Sequence, residues 1–359
     1  MPNKKGIIRF FIRLGIFVGI VVLVIASTIL INLYGPSPKI YSDDSWSSIS
    51  PLDLPGFNKT YYNVRLDHHS HTFHSDGVLS VRQNIEWHIA MGYNAMVITD
   101  HNTLAHKSDI DEIKADYTAR NITIILGMEW TTNRIHLNFL GISEWNLPIP
   151  SDPTDADIIQ AIQEVHSQGG VVVVNHIPWS LRVGMVTHPS REQLRNWHVN
   201  YFEIINDDSL PQDVFDSESN DFCDTYNIGK ITGTDMHRPD DLGGGGVSGF
   251  TLINVSTISE ANIMVELRNN RTRIFRANIP YPDPVQHPDN PWYIVVKPLS
   301  DIGGLFIALY EDGLIVTGTI VYLIYIFSIF ALIEVFIFVK PKVLAKIKAR
   351  KEKDISSER

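Results

Sequence analysis

Apolar positions along this chain fall into two kinds of pattern. Near each end lies a long unbroken run, residues 14–33 (LGIFVGIVVLVIASTILINL) and 314–339, the second interrupted only by Glu334. Either run is long enough to cross the hydrocarbon core of a bilayer, so each predicts a transmembrane helix. The first is longer than the apolar core of a signal peptide and ends without a small-x-small cleavage site, which favours an uncleaved anchor. Between the runs the pattern changes. Short apolar stretches (VRLDH, NAMVITD, ITIILGME, IHLNFLG, VVVVNH, YFEIIN, KITGTD and GFTLINV) alternate with helical-period segments such as VRQNIEWHIAMG and DADIIQAIQEVHSQGG. Buried strands alternating with helices predict a parallel α/β sheet or barrel.

These patterns divide the chain into an N-terminal segment (1–13), a span (14–33), a Pro/Ser/Asp-rich linker (34–60), a main domain (61–280), a proline-broken juxtamembrane segment (281–313), a second span (314–339) and a basic tail (340–359). Lys4, Lys5, Arg9 and Arg13 precede the first span, and seven basic residues from Lys340 to Lys353 follow the second. Asp43, Asp44, Glu311 and Asp312 flank the opposite sides. The positive-inside rule then places both termini in the cytoplasm and the main domain outside the cell, on a two-pass protein of the cell membrane. Glu334 lies near the end of its span, within reach of the interface.

Charge narrows the function. The chain carries −10, while the segments before residue 34 and after residue 313 each carry +4, leaving about −18 for the stretch between. Such an acidic domain argues against an extended basic groove and a stable nucleic-acid complex. A small anionic substrate fits only where metal cations supply positive charge locally. The single cysteine, Cys223, excludes an intramolecular disulfide framework and a cysteine-rich zinc module.

Metal-competent residues gather where the predicted strands end. His69 and His71 in LDHHSHTFHSDG are one residue apart on an extended segment, so both rings face one side and can grip one ion. Asp76 follows, just before Gly77. His101 in ITDHN comes after MVIT, with Asp100 as its orienter. Glu129 follows IILGM, and its two oxygens can bridge two cations. His136 comes soon after, His176 ends VVVVNH, and Asp235 and His237 in GTDMH repeat the alternating geometry of the first pair. In a barrel of parallel strands those ends share one face, where active sites assemble. The run GGGG at 243–246 lacks a phosphate-loop lysine and following helix, and reads as a loop at the barrel mouth.

DHHSHTFHSDG, ITDHN, GME, NHIP and GTDMH, in that order, resemble the motifs of the polymerase and histidinol phosphatase (PHP) family over roughly residues 62–280. Two departures stand out. His68 replaces the usual apolar residue before the first ligand histidine, and Ile177 separates His176 from Pro178. The resemblance implies a distorted (β/α)7 barrel with two or three divalent ions (zinc, manganese or iron) at the strand ends. It implies His69, His71, Glu129 and Asp235 around one ion, Glu129, His136 and His176 around a second, and Asp76, His101 and His237 around a third.

The expected function is hydrolysis of phosphate esters by a metal-activated hydroxide, with Glu129 and Asp235 at the centre and Arg238 steadying the phosphate. Arg134 and Arg182 are further candidates for the phosphate, and His74 for protonating a leaving group. His88 and His106 read as surface or core residues. The expected substrate is a small phosphomonoester or short nucleotide. The rival expectations are a phosphodiesterase or 5′-to-3′ exonuclease acting on oligonucleotides, and a metal-binding receptor ectodomain without turnover.

Overall fold

The computed structural model describes residues 4–47, 49, 56–209, 213–239, 246–280, 288–307, 309 and 316–357. The GGGG loop through Gly245, most of the second half of the linker, and Glu311 and Asp312 lie outside the described residues. The chain forms two compact units. One is Ser37–Asn290; the other joins Met1–Pro36 with Pro291–Arg359.

The first unit is built on nine strands: β1 (Val64–Asp67), β2 (Ala95–Ile98), β3 (Thr123–Thr131), β4 (His136–Leu140), β5 (Val171–Val174), β6 (Tyr201–Asn206), β7 (Gly229–Gly233), β8 (Gly246–Ile253) and β9 (Arg273–Pro280). They form one sheet in the order β7-β6-β5-β4-β3-β2-β1-β8-β9. The sheet curls until it is nearly a closed barrel, with the backbone N–H of Thr232 on β7 donating to the hydroxyl of Thr251 on β8 at 2.9 Å. The barrel-like α/β fold is as expected, but the strands are more numerous and less uniform than a parallel barrel. β4 runs antiparallel to both β3 and β5, and β8 runs antiparallel to β1 and β9.

Strand residues alternate between two environments, as a pleated backbone requires. Val171 and Val173 face the interior with Leu66, Val97, Ile125 and Ile231, while Val172 and Val174 face the outer cluster with Ile158 and Ile162. The described residues also form ten helices: α1 (Lys4–Tyr34), α2 (Val81–Ala90), α3 (Lys107–Ala119), α4 (Asp155–Ser167), α5 (Ile177–Arg182), α6 (Arg191–Asn196), α7 (Ser217–Tyr226), α8 (Glu260–Arg268), α9 (Pro291–Ile307) and α10 (Val316–Ser357). α4 shows why such segments become helices. Thr154 and Asp157 form a capping box, and Ile158, Ala161, Ile162 and Val165 make a buried stripe at helical spacing. Ile263, Met264 and Leu267 of α8 join the interior cluster at the end of the sheet where β1 begins and so close that end. The opposite end is free to hold polar groups.

In the second unit, the windows Gly6–Tyr34 and Gly318–Ala345 are long and apolar enough to cross a membrane. Arg13 and Glu334 join α1 to α10 in a two-pronged ion pair of 2.5 and 2.6 Å. The proline-broken segment contains a helix, α9, with Pro298 inside it. It lies against α1 through small and polar residues. Asn32 donates to the carbonyl of Ser300 at 3.0 Å, and Gly303 approaches Thr28 so closely that a Cβ would stand 2.0 Å from the Thr28 carbonyl oxygen. Small residues at such contacts let two helix backbones approach.

Candidate metal centre

Nine side chains converge at the end of the sheet opposite α8. His69 and His71 lie just past the end of β1, Glu129 near the end of β3, His176 past β5, and Asp235 and His237 past β7. His136 belongs to the same end for a different reason. It is the first residue of β4, and because β4 is antiparallel its start lies beside the end of β3, with Thr131 paired to His136. The loops continue the ladder for one step beyond the strands, through bridges between Ser70 and Met236 and between His101 and Glu129.

Glu129 lies at the middle of the cluster. Its Oε1 is 3.2 Å from His136 Nδ1, 3.2 Å from His176 Nε2 and 3.5 Å from His69 Nε2, and its Oε2 is 2.8 Å from His101 Nδ1 and 3.5 Å from His71 Nε2. Asp235 Oδ1 lies 3.1 Å from His69 Nε2 and 3.0 Å from His71 Nε2. Asp76 stands 3.3 Å from both His101 Nε2 and His237 Nε2. Among the described residues four sets of donors are close enough to share an ion: His69, Glu129 and His176; His69, His71 and Asp235; His68, His69 and Glu203; and His71, Asp76, His101 and His237. The grouping differs from the family pattern: His71 lies with the Asp76 set as well as with Asp235, Glu129 groups with His69 and His176, and His136, 3.2 Å from Glu129, falls in none of the sets. The first three sets are wholly buried, whereas Asp76 is exposed and His101 and His237 are partly so.

The chemistry of these donors fits divalent cations. His69 Nε2, both ring nitrogens of His71, Glu129 Oε2 and Asp235 Oδ1 are buried and satisfy no hydrogen bond. Contacts between them are 3.0 to 3.5 Å long, within reach of a common ion. Buried polar atoms are normally paired, and leaving several unpaired is costly. A cation among them removes that cost, and nitrogen-plus-carboxylate ligation suits zinc, manganese or iron.

Burial lowers His69, His101, His176 and His237, but the neighbouring carboxylates outweigh it and hold all four above the usual imidazole range, so each carries a proton that a cation would displace. Burial alone drives the Glu129 and Asp235 carboxyls up, but His101, His69 and His136 around Glu129, and His69, His71 and His237 around Asp235, hold both well below the usual carboxylate range. Burial, with His237 and His101 alongside, pushes His71 down to about 4, so it is a neutral imidazole with a lone pair to offer. The backbone is also constrained here. His176 and Asp235 hold φ of +24° and +54°, conformations that cost on the order of 1–3 kcal/mol each and cluster at functional sites.

His69, not His68, reaches the shared carboxylates. His68 donates from Nδ1 to the Thr232 carbonyl at 3.0 Å, and its Nε2 stops 3.6 Å from Glu203. Asp100 accepts from the Thr72 backbone N–H and hydroxyl and from Ser75, and so fixes the loop that carries Asp76. Of the arginines considered for phosphate, Arg134 is occupied by Asp155, Pro153 and Thr187, and Arg182 by Asp213. Arg238, next to His237 and partly exposed, has no such partner among the described residues. His74 is half-buried and lies 3.0 Å from Asp109.

Sequence reasoning passed over several supporting residues. Asp67 accepts from the backbone N–H groups of His69 and Thr234 at 3.1 and 3.0 Å and from His88 Nε2 at 2.9 Å. His88 and His106 are therefore not idle core histidines, since His106 Nδ1 lies 2.8 Å from Asp100. Asn175 donates to Glu129 Oε1 at 2.8 Å, and Asn206 donates to Asp235 Oδ2 at 3.0 Å. Glu203 lies 3.0 Å from His69 Nδ1. A glutamate within the otherwise apolar strand YFEIIN was the available signal, because a buried lone carboxylate needs a reason.

The fold and site define a curled α/β sheet with histidines and carboxylates, a donor set suited to divalent metal ions, gathered at one end. Residues 67–216 match the model of the PHP domain, and the chain thus carries a PHP domain. Among solved structures, a two-domain protein from Bacteroides vulgatus, described as containing a predicted PHP-like metal-dependent phosphoesterase, is 22% identical with a TM-score of 0.49, over 63% of this chain and 68% of that one. A protein from Bifidobacterium adolescentis, described as a candidate metal-dependent phosphoesterase, is 17% identical with a TM-score of 0.40, over 57% and 96% of the two chains. An amidohydrolase from Chromobacterium violaceum with bound sulfate and no metal is 16% identical with a TM-score of 0.39, over 59% and 97%. A comparison with curated proteins finds none that matches.

Proposed function

We propose that this domain hydrolyses small phosphate monoesters, using two or three divalent ions, on a protein anchored in a membrane by α1 and α10. The observation that carries the reading is the convergence of buried, unpaired donors on His69, His71, Glu129 and Asp235. His69, His71 and Asp235 would hold one ion, Glu129, His136 and His176 a second, and Asp76, His101 and His237 a third. Ions held there supply Lewis-acid polarisation of the ester and activate water at neutral pH.

The protein's own groups set the direction of approach. The Asp76, His101 and His237 side is open to solvent, while the His69 and His176 side is sealed. Substrate would then enter past His237, and Arg238, its neighbour in sequence, would take an anionic phosphoryl oxygen. Asp76, Glu129 and Asp235 would repel that phosphate were their charge not neutralised by the ions. The acidic composition of the main domain favours a small substrate over an oligonucleotide.

The decisive experiment measures p-nitrophenyl phosphate hydrolysis by the full-length protein in detergent micelles, with manganese or zinc and with metal analysis of the same sample. Wild type is expected to turn over and Glu129→Gln to lose both activity and bound metal. No turnover by wild type carrying two ions per chain would sink the proposal. For the anchoring, with both termini cytoplasmic, protease added outside intact cells should cleave the main domain and spare the tail after residue 340.

A further inference from the structure

We infer that Glu203 is the positioning residue of the metal centre, one carboxylate that sets the ligand geometry on three strands at once. The inference rests on the metal-centre reading above and concerns a residue outside its nine proposed ligands, though one that lies within reach of an ion beside His68 and His69.

Glu203 lies in β6, buried to 2% exposure, at an irregularity in the pairing with β7. Its two oxygens do different work. Oε1 lies 3.0 Å from His69 Nδ1, and Oε2 accepts from the backbone N–H of His176 at 2.8 Å and from the side-chain amide of Asn206 at 3.0 Å. A carboxylate only accepts, so Nδ1 carries a proton, and Nε2, which faces Asp235 and Glu129, is the nitrogen left to bind a cation in place of its own proton. The same carboxylate holds the His176 backbone, whose φ of +24° needs support from its surroundings. The other N–H of the Asn206 amide goes to Asp235 Oδ2 at 3.0 Å, which extends the control to a third ligand. Gly233 makes this approach possible, since a Cβ there would stand 2.3 Å from Glu203 Oε1.

A purely structural role predicts only a loss of stability when Glu203 is changed. A positioning role predicts more. In Glu203→Gln one oxygen becomes an NH2 group, which cannot accept. If the amide faces His69, the imidazole is driven to its other tautomer, with a proton on the nitrogen that should ligate. If it faces His176, two N–H groups oppose each other. Either way ligand geometry suffers, and residues that orient metal-binding histidines typically contribute about 10- to 100-fold in metal affinity.

The test uses the full-length protein in detergent micelles and reads manganese and zinc affinity by competition with a chelator, alongside thermal melting without metal. Glu203→Gln is expected to weaken binding of at least one ion about 10- to 100-fold, and Asn206→Ala severalfold. Should the first variant fail to fold, the second carries the test. Asp216→Asn serves as the control, because Asp216 is a buried carboxylate that caps α7 and pairs with Arg191, away from the donor set. Wild-type affinity in both Glu203→Gln and Asn206→Ala overturns the inference. So does an equal loss of affinity in Asp216→Asn at matched loss of melting temperature, and so does a wild type that takes up neither metal. Intact metal binding without phosphatase turnover overturns the hydrolase proposal alone.

Discussion

Asp67 and Thr234, 167 residues apart, are joined twice, through the Thr234 backbone N–H and through its hydroxyl, each to one oxygen of the Asp67 carboxylate. This contact brings the end of β1, with His69 and His71, against the end of β7, with Asp235. His88 completes it from α2, 2.9 Å away. Asp67→Asn puts an NH2 group among donors and leaves at least one of the His69, Thr234 and His88 groups without its acceptor. A buried donor left unsatisfied costs about 1–3 kcal/mol. The expected outcome is a markedly lower melting temperature together with weaker metal uptake, read by calorimetry and metal analysis. A variant with an unchanged melting temperature would refute the account of this joint.

Gly233 lies where three groups meet. A Cβ there would stand 2.3 Å from Glu203 Oε1, 2.6 Å from His69 Cβ and 2.9 Å from His68 Cε1. Gly233→Ala must therefore push the His69 segment away from β7. Overpacking of this kind costs about 1–3 kcal/mol. Urea titration should show that loss, and manganese affinity should fall with it. Unaltered affinity would mean that the ligand segment tolerates displacement.

Arg238 tests the substrate side independently of the metal. A hydrogen bond to a charged group contributes about 1.5–3 kcal/mol, which corresponds to roughly tenfold to over hundredfold in kcat/KM. Arg238→Ala should show that drop with p-nitrophenyl phosphate while binding as much metal as wild type. Arg238→Lys should recover part of it. Equal kcat/KM in wild type and Arg238→Ala would remove Arg238 from the site.

Away from the centre, Tyr117 gives a pH prediction. It is buried against Glu86, donating its hydroxyl at 2.7 Å, and Glu86 is also held by Arg120. Burial, followed by the neighbouring Glu86 carboxylate, pushes the phenol up to about 12 from 10.0. Between those values the unfolded chain loses a proton that the folded chain keeps, so stability falls as pH rises through that window. The loss is at most about 2–3 kcal/mol at 1.36 kcal/mol per unit. Denaturant melts at pH 9 and 11 should show it in wild type, and Tyr117→Phe should remove most of the difference. An equally steep alkaline loss in the variant would assign it to other groups.

The sequence alone determined what depends on local periodicity and chain length. Two apolar runs near the ends, the second broken only by Glu334, are long enough for membrane-crossing helices, and the structure has a helix over each. His69 and His71 fall on one side, as extended backbone repeating every two residues predicts, whereas Asp235, at φ +54°, reaches the cluster from a left-handed turn. The ends of apolar strands marked where Glu129 and His176 would meet, because parallel strands put those ends on one face. Tertiary structure decided the rest. His136 reaches the centre only because β4 reverses direction, and nothing in IHLNFLG states which way a strand runs in its sheet. Segment 291–307 is helical in spite of Pro298, packed on α1 by Gly303 and Ser300. Asp67, His88, Asn206 and Glu203 serve the site through partners 21 to 167 residues away or through a neighbour's neighbour. A hydrogen bond closing over such a distance depends on how the sheet curls. Sequence spacing shows which residues share a face, but the curl of the sheet chooses which carboxylate meets which imidazole.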